Sequence, residues 1–415
     1  VGAATIRDMQ TGPDVLRSTA WDRTFHAHGS GADAPERLTP LLTGGTCERK
    51  HALDYLYGSI LHQGTVYPAT VPAALFVAGI LDRPELDDLA RDSISEAMGA
   101  APSPLRQSLL GFLTDVADSA AAFAASTDAT PVARAPLSED ERVRLIDAVL
   151  ADDADDEAWS EGGVETLMDE AADDLRAAAP ALNEAVRPFL TCHDPLTRIR
   201  AVEAAAATAR LGGLALDLSG AADMAETRDE GAVIVLALGE CGGDTTEFLT
   251  HADPAIRACA ALAPSQRDNP VATGELVAAL AGPAEADAWF TTRPAFFPAR
   301  VRFTLVRTLA ERSTPEDAAR LLPVLRALAP LTSVLTAAED AGPLLALAFP
   351  PRDGDEKPPV RARNLEELTG VQRDYLRVLA DSDGFWHDRI ANFRVVLARL
   401  GLPGEREEVR ALLGG

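Results

Sequence analysis

Residues 189–201 read FLTCHDPLTRIRA and set Cys192, His193 and Asp194 side by side. Thiolate, imidazole and carboxylate are all zinc donors, and His251 in the related stretch FLTHADPAIRACA would add another. Aligning the two stretches argues against a metal centre. Cys192 falls opposite His251 and His193 opposite Ala252, in turns two units apart that both lead into Asp-Pro. His62-Gln63-Gly64-Thr65-Val66-Tyr67-Pro68 gathers a possible general base, a phenol and a hydroxyl in one turn. No nucleophile or second acid accompanies it at a fixed spacing, as catalysis requires. The expected role is a turn ordered by its own polar side chains, with Gly64 supplying the dihedrals and His62 and Tyr67 reaching helix ends.

Residues 151–175 carry eleven acids and no base, which suggests calcium. An EF-hand loop started at Asp153 would need Gly and Glu where the chain has Ala158 and Val164. Val164, Leu167, Met168, Ala171 and Leu175 instead form the buried stripe of a helix whose other face is solvated. WFTTRPAFFPARVRF (289–303) holds five of the 21 aromatics. Such a loop is either buried or offered to a partner, so Trp289, Phe290, Arg293, Phe296 and Phe297 join His62, Gln63 and Tyr67 as candidate partner contacts. The chain has no P-loop, G-x-G-x-x-G, H-E-x-x-H or G-x-S-x-G motif, which lowers the expectation of an enzyme. No catalytic residue, metal ligand or cofactor is assigned.

The elements that must position these residues are helices. Of 415 residues 47% are hydrophobic but only 5% aromatic, with Ala abundant, and Ala is the best helix former whereas strands favour β-branched and aromatic residues. The formal charge of −26 opposes a surface that tracks phosphates, so no nucleic acid is expected. Lys50 and Lys357 are the only lysines, a composition that reads as codon bias. Cys47, Cys192, Cys241 and Cys259 are too scattered for a disulfide framework, and no apolar run approaches a membrane span. A soluble cytoplasmic protein is the expectation.

The two stretches are a repeat. Phe189, Leu190, Thr191, Asp194, Pro195, Arg198 and Ala201 recur as Phe248, Leu249, Thr250, Asp253, Pro254, Arg257 and Ala260, always 59 residues on. Gly212-Gly213 recurs as Gly242-Gly243, displaced by 30. Asp as N-cap with Pro at N1 starts a helix and Gly past the last turn ends one, so each unit reads as a helix pair. Stacked pairs make an α-solenoid, an all-α fold.

Asp-Pro-x-x-Arg before a small-residue helix resembles the HEAT repeat, particularly its short bacterial form related to phycobilisome lyases. The resemblance implies that Asp194, Arg198, Asp253 and Arg257 belong to a structural ladder along the stack. His62, Gln63, Gly64, Thr65 and Tyr67 are similar to the His-Gln-Gly-Thr-x-Tyr element of a group of bacterial HEAT-repeat proteins. Arg49 and Ala52 take the relative places of Arg198 and Ala201. These motifs cover about a third of the chain, and helical periodicity covers most of the rest.

The expected organisation is a cap segment (1–35), HEAT-like repeats (36–125), a linker with an acidic insertion (126–175), and further repeats (176–415) interrupted by a Pro-rich loop (349–364). The expected function is a non-enzymatic scaffold or adaptor that neutralises or assembles a protein partner with a basic surface. Two other readings stay open. HEAT-like folds include alkylpurine DNA glycosylases and phycobilin lyases, and two lobes hinged at the interruptions would suit a regulatory module.

Overall fold

A computed structural model describes residues 9–97, 99, 101–126, 137–151, 163–350, 365–387 and 392–414. Much of the expected linker, part of the acidic run and most of the Pro-rich loop, at 127–136, 152–162 and 351–364, lie outside the described residues. The protein is 71% helix and 2% strand. Its strands are two miniature antiparallel pairs, Phe25–His26 with Gly29–Ser30 and Leu89–Ala90 with Ser103–Pro104. The chain divides into two units, Val1–Ala225 and Glu226–Gly415. This division falls between the two copies of the motif and not at 126–175, because helix Leu105–Ser126 packs directly on Pro195–Gly212.

In unit 1 helix Gly163–Val186 lies against both of those helices and against Thr70–Ala78. Pro195–Gly212 is buried almost all round, and Ala201, Ala204, Ala205, Ala206, Ala207 and Ala209 let neighbouring backbones approach closely. The Ala-rich composition thus serves helix-to-helix contact. Phe25, Phe76, Phe112, Leu53, Leu56 and Ile60 fill the wider gaps.

In unit 2 Arg228–Glu240 packs on Pro254–Leu262, which packs on Pro270–Leu280. Val301–Glu311 and Ala318–Leu328 both pack on Ala337–Ala348, and Gly370–Asp381 joins Ala318–Leu328 to Arg406–Leu412. One charged group lies deep in this core. Arg302 donates from Nε to Asp340 Oδ1 (2.7 Å) and from its NH2 group to Oδ2 (3.2 Å), and its third nitrogen meets Asp287. Asp340 is completely buried, and the two-pronged geometry offsets its desolvation.

The aromatic stretch belongs mainly to this interior. Trp289 and Phe297 are buried, so they offer no surface to a partner, while Phe290 and Phe296 are partly buried against the same core. Phe290 stacks on Phe297 with ring centroids 5.8 Å apart. Asp229 accepts the Thr292 amide (2.6 Å), and Arg228 donates to the Trp289 carbonyl (3.1 Å). These bonds satisfy the loop's backbone, which burial demands. Of the five residues named there, Arg293 alone is fully exposed.

The two motif copies share their local structure. Each follows a 3-10 turn, Arg187–Thr191 or Thr246–Thr250. Asp194 (φ −76°, ψ 118°) and Asp253 (φ −80°, ψ 121°) then cap their helices. Asp194 accepts the Thr197 amide (2.8 Å) and Asp253 the Ala255 amide (2.9 Å). Gly213 closes its helix at φ 61°, where a side chain would be strained, and Gly242 follows the next helix at φ 79°.

The motif arginines both bond to their own entry turns. Arg198 folds back to donate to the carbonyls of Cys192 (2.6 Å) and His193 (3.0 Å), and Arg257 repeats this with His251 (2.9 Å) and Ala252 (3.1 Å). Asp253 pairs with Arg228 and Arg257 with Glu275, so in unit 2 the motif Asp and Arg take separate partners. A guanidinium one turn into the helix reaches the free carbonyls of its own entry turn at no cost in chain closure, which explains the preference.

Candidate functional site

The His-Gln-Gly element begins where a helix changes pitch. Thr46–Tyr55 is α-helical, but Leu56–Ile60 forms a π-turn, and the Leu61 amide donates to the Leu56 carbonyl (2.9 Å). Such a widened turn adds a residue and redirects side chains, and π-turns recur at functional sites. The Thr70 hydroxyl secures it by donating to the Ile60 carbonyl (2.6 Å) while accepting the Tyr67 amide (2.9 Å). Gln63 then sits at φ 52°, ψ 30°, the one non-glycine residue with positive φ among those described, and Gly64 follows at φ 74°. Holding Gln63 there costs about 1 kcal/mol or more.

The turn is braced from the N-terminal hairpin. His28 Nε2 meets the Gly58 carbonyl (2.9 Å), so that nitrogen carries the proton, and the His28 and His62 rings stand edge to face at 5.2 Å. His26 Nδ1 accepts the His28 amide (3.1 Å), leaving Nε2 to donate to Asp33 (3.2 Å). Tyr55 donates to the same Asp33 oxygen (2.7 Å), and burial is the main reason its phenol resists ionisation.

The π-turn places Tyr57 opposite helix Leu105–Ser126. Its ring meets Phe112 edge-on at 5.7 Å, and its phenol is hydrogen-bonded to Asp115. Burial, then the charges of Asp115 and Asp92, push the phenol well above its usual range, so it stays a protonated donor. Desolvation, then the neighbouring Asp118, raises Asp115 to about 6. Asp115 is nonetheless exposed, a surface carboxylate crowded by Tyr57, Asp118 and Arg200 and not a core residue. The same helix brings Ser119 near Gly64, where a Cβ would lie 3.5 Å from Ser119 Oγ.

Helix Pro195–Gly212 adds the counter-charges. Arg210 pairs with Asp118, and Arg200 with the buried Glu203 at 2.7 Å. Arg200 also draws Asp115 down, though less than burial and Asp118 raise it. This cluster therefore combines a neutral phenol, a carboxyl raised to about 6 and arginines already engaged by acids. It can accept a cation or a hydrogen-bond donor at Asp115 and exchange one proton there.

Of the sequence candidates, half-buried His62 and exposed Gln63 belong to the turn that follows Tyr57. Tyr67 is buried elsewhere, edge-on to Phe25 at 6.2 Å in a small cluster with Ile146, Val149, Val164 and Leu167. Trp289, Phe290, Arg293, Phe296 and Phe297 belong to unit 2. His251 Nδ1 accepts the Asp253 amide (3.0 Å), a capping role. Among the described residues no group of three or more His, Cys, Asp or Glu is placed to hold a metal.

Tyr57 and Asp115 carry the site's chemistry, and sequence reasoning passed over both. A signal existed in LLGFLTDVADSAAAF (109–123), where Asp115 and Asp118 are the only charges on an otherwise apolar helix. In comparisons with known proteins the chain matches no family model, and neither the curated proteins nor the solved structures contain a significant match.

Proposed function

We propose that the protein is a non-enzymatic binding scaffold, a HEAT-like α-solenoid of antiparallel helix pairs, whose unit 1 receives a protein partner with a basic surface in the cytoplasm. The observation that carries this reading is Asp115, an exposed carboxylate whose near neighbours include further acids and arginines already paired. A partner's Lys or Arg placed there would relieve the repulsion from Asp118 and accept a desolvated charge-assisted bond.

The charge distribution agrees. Unit 1 has 36 acidic and 17 basic residues, a net −19, against 28 and 21, a net −7, in unit 2. That field steers cations toward unit 1 and speeds encounter. The matching turn geometry at Asp194 and Asp253, with successive helices packed within each unit, supports the solenoid architecture. Four free cysteines suit a reducing compartment. Among the described residues no helix is long and apolar enough to cross a membrane.

Affinity capture from the native host with mass spectrometry tests the reading. A stoichiometric basic protein, lost on Asp115→Asn, supports it; recovered nucleic acid overturns it. A second reading follows from the pairing of Tyr57 with a carboxyl near 6, which suits general acid–base catalysis. It requires turnover of a small molecule that Tyr57→Phe abolishes while partner affinity survives.

A further inference from the structure

Unit 1 contains a cavity of about 390 Å³ that shares no residue with the Tyr57–Asp115 cluster. It opens among helices Pro13–Ser18, Thr70–Ala78, Glu139–Val149 and Gly163–Val186, with Val71, Leu75, Ile146 and Leu167 in its apolar wall. The volume equals that of about a dozen waters at ~30 Å³ each, room for a ligand of roughly ten heavy atoms.

Its charges are unevenly satisfied. Glu170 and Asp174 stand one helical turn apart on Gly163–Val186, so both reach the same side of the cavity. Glu170 is occupied: Oε1 accepts the Leu137 amide (3.1 Å) and Oε2 lies 3.0 Å from an Arg142 nitrogen. The Asp174 side chain hydrogen-bonds to nothing among the described residues, and its carboxyl is raised by desolvation, partly countered by Arg142. Arg23 also lines the cavity; like Asp174 it is exposed, and its guanidinium is pinned to no acid. Leu167, Glu170 and Asp174 fall on one face of Gly163–Val186, so it is an acid that adjoins this part of the apolar wall.

We infer that this cavity is a binding site for a small organic cation, an ammonium group on an apolar body, with the body against Val71, Leu75, Ile146 and Leu167 and the ammonium on Asp174. Three features favour that class. The wall removes apolar surface from water, Asp174 supplies one unpaired acceptor, and the net −19 of unit 1 enriches cations around it. Glu170, held by Arg142 and the Leu137 amide, positions that part of the helix without taking the ligand.

Calorimetric titration of the full chain with phenethylammonium, phenethyl alcohol and phenylpropionate tests the assignment. The first two differ only in the charged head, and the third reverses the charge. Phenethylammonium is expected to bind with one-to-one saturation, about fivefold tighter than the alcohol, the scale of a charge pair made with an exposed carboxylate. Asp174→Asn should abolish the preference. Asp173→Asn removes the same charge from an exposed neighbour that pairs with Arg176, and should leave the preference intact. Absence of saturable binding, a carboxylate that binds as well as the ammonium, or a preference that survives Asp174→Asn would overturn the proposal.

Discussion

Replacing Asp115 with Asn should stabilise unit 1 near neutral pH, the reverse of what most substitutions do. The Asp115 carboxyl moves from 3.8 to about 6 on folding because its neighbours desolvate it and Asp118 stands beside it. At about 1.4 kcal/mol per unit, the shift sets a ceiling near 3 kcal/mol on the cost of holding the charge. Asp115 retains solvent access, so screening reduces the expected effect to about 1 kcal/mol.

The pH dependence has a definite sign. Below the unfolded value both states are protonated and the penalty is absent; as pH rises through about 6 the folded carboxyl ionises and the full penalty is reached. Urea unfolding followed by hydrogen exchange in Leu105–Ser126 reads unit 1 by itself. Asp115→Asn should exceed the wild type by about 1 kcal/mol at roughly pH 7.5, and the difference should shrink steadily toward about pH 4. A difference that does not change with pH would refute the reasoning, because a lost or gained contact alone has no proton linkage.

Other expectations concern the frame that holds the site. Asp340→Ala leaves the buried Arg302 guanidinium with Asp287 as its one remaining acid and should lower the stability of unit 2 by about 3 kcal/mol, read as a shift in its urea midpoint. Asp194→Ala removes the N-cap bonds to Thr197 and the bond from Gln107 (3.0 Å); it should cost roughly 1–2 kcal/mol in thermal unfolding, with Asp194→Asn recovering much of it. Buried Cys259, its thiol pushed well up by desolvation, should resist alkylation until the chain unfolds, whereas exposed Cys47 reacts in the native state, as peptide mapping would report.

Backbone-level features were the legible part of the sequence. Asp194-Pro195 and Asp253-Pro254 start helices, and Gly213 and Gly242 end them with positive φ, because caps and left-handed glycines are set by local sterics. Interactions over long sequence separations were not legible. That Arg198 and Arg257 donate to the carbonyls of their own entry turns, and also reach Met224 and Glu275, is decided by which groups the fold brings near them. Aromatics at 289–297 proved largely interior because Asp229 and Arg228, some 60 residues earlier, satisfy the loop that carries them. His62 and Gln63 marked the right turn, but the π-turn that brings Tyr57 to Asp115 leaves no signature in helical periodicity.

The most direct test of the binding account is the affinity of the captured basic protein for the wild type and for Asp115→Asn, measured at low and moderate salt. The account expects at least a tenfold loss on substitution, and wild-type affinity that falls with salt as a charge-steered contact should. Equal affinity for both forms, or binding indifferent to salt, would contradict it.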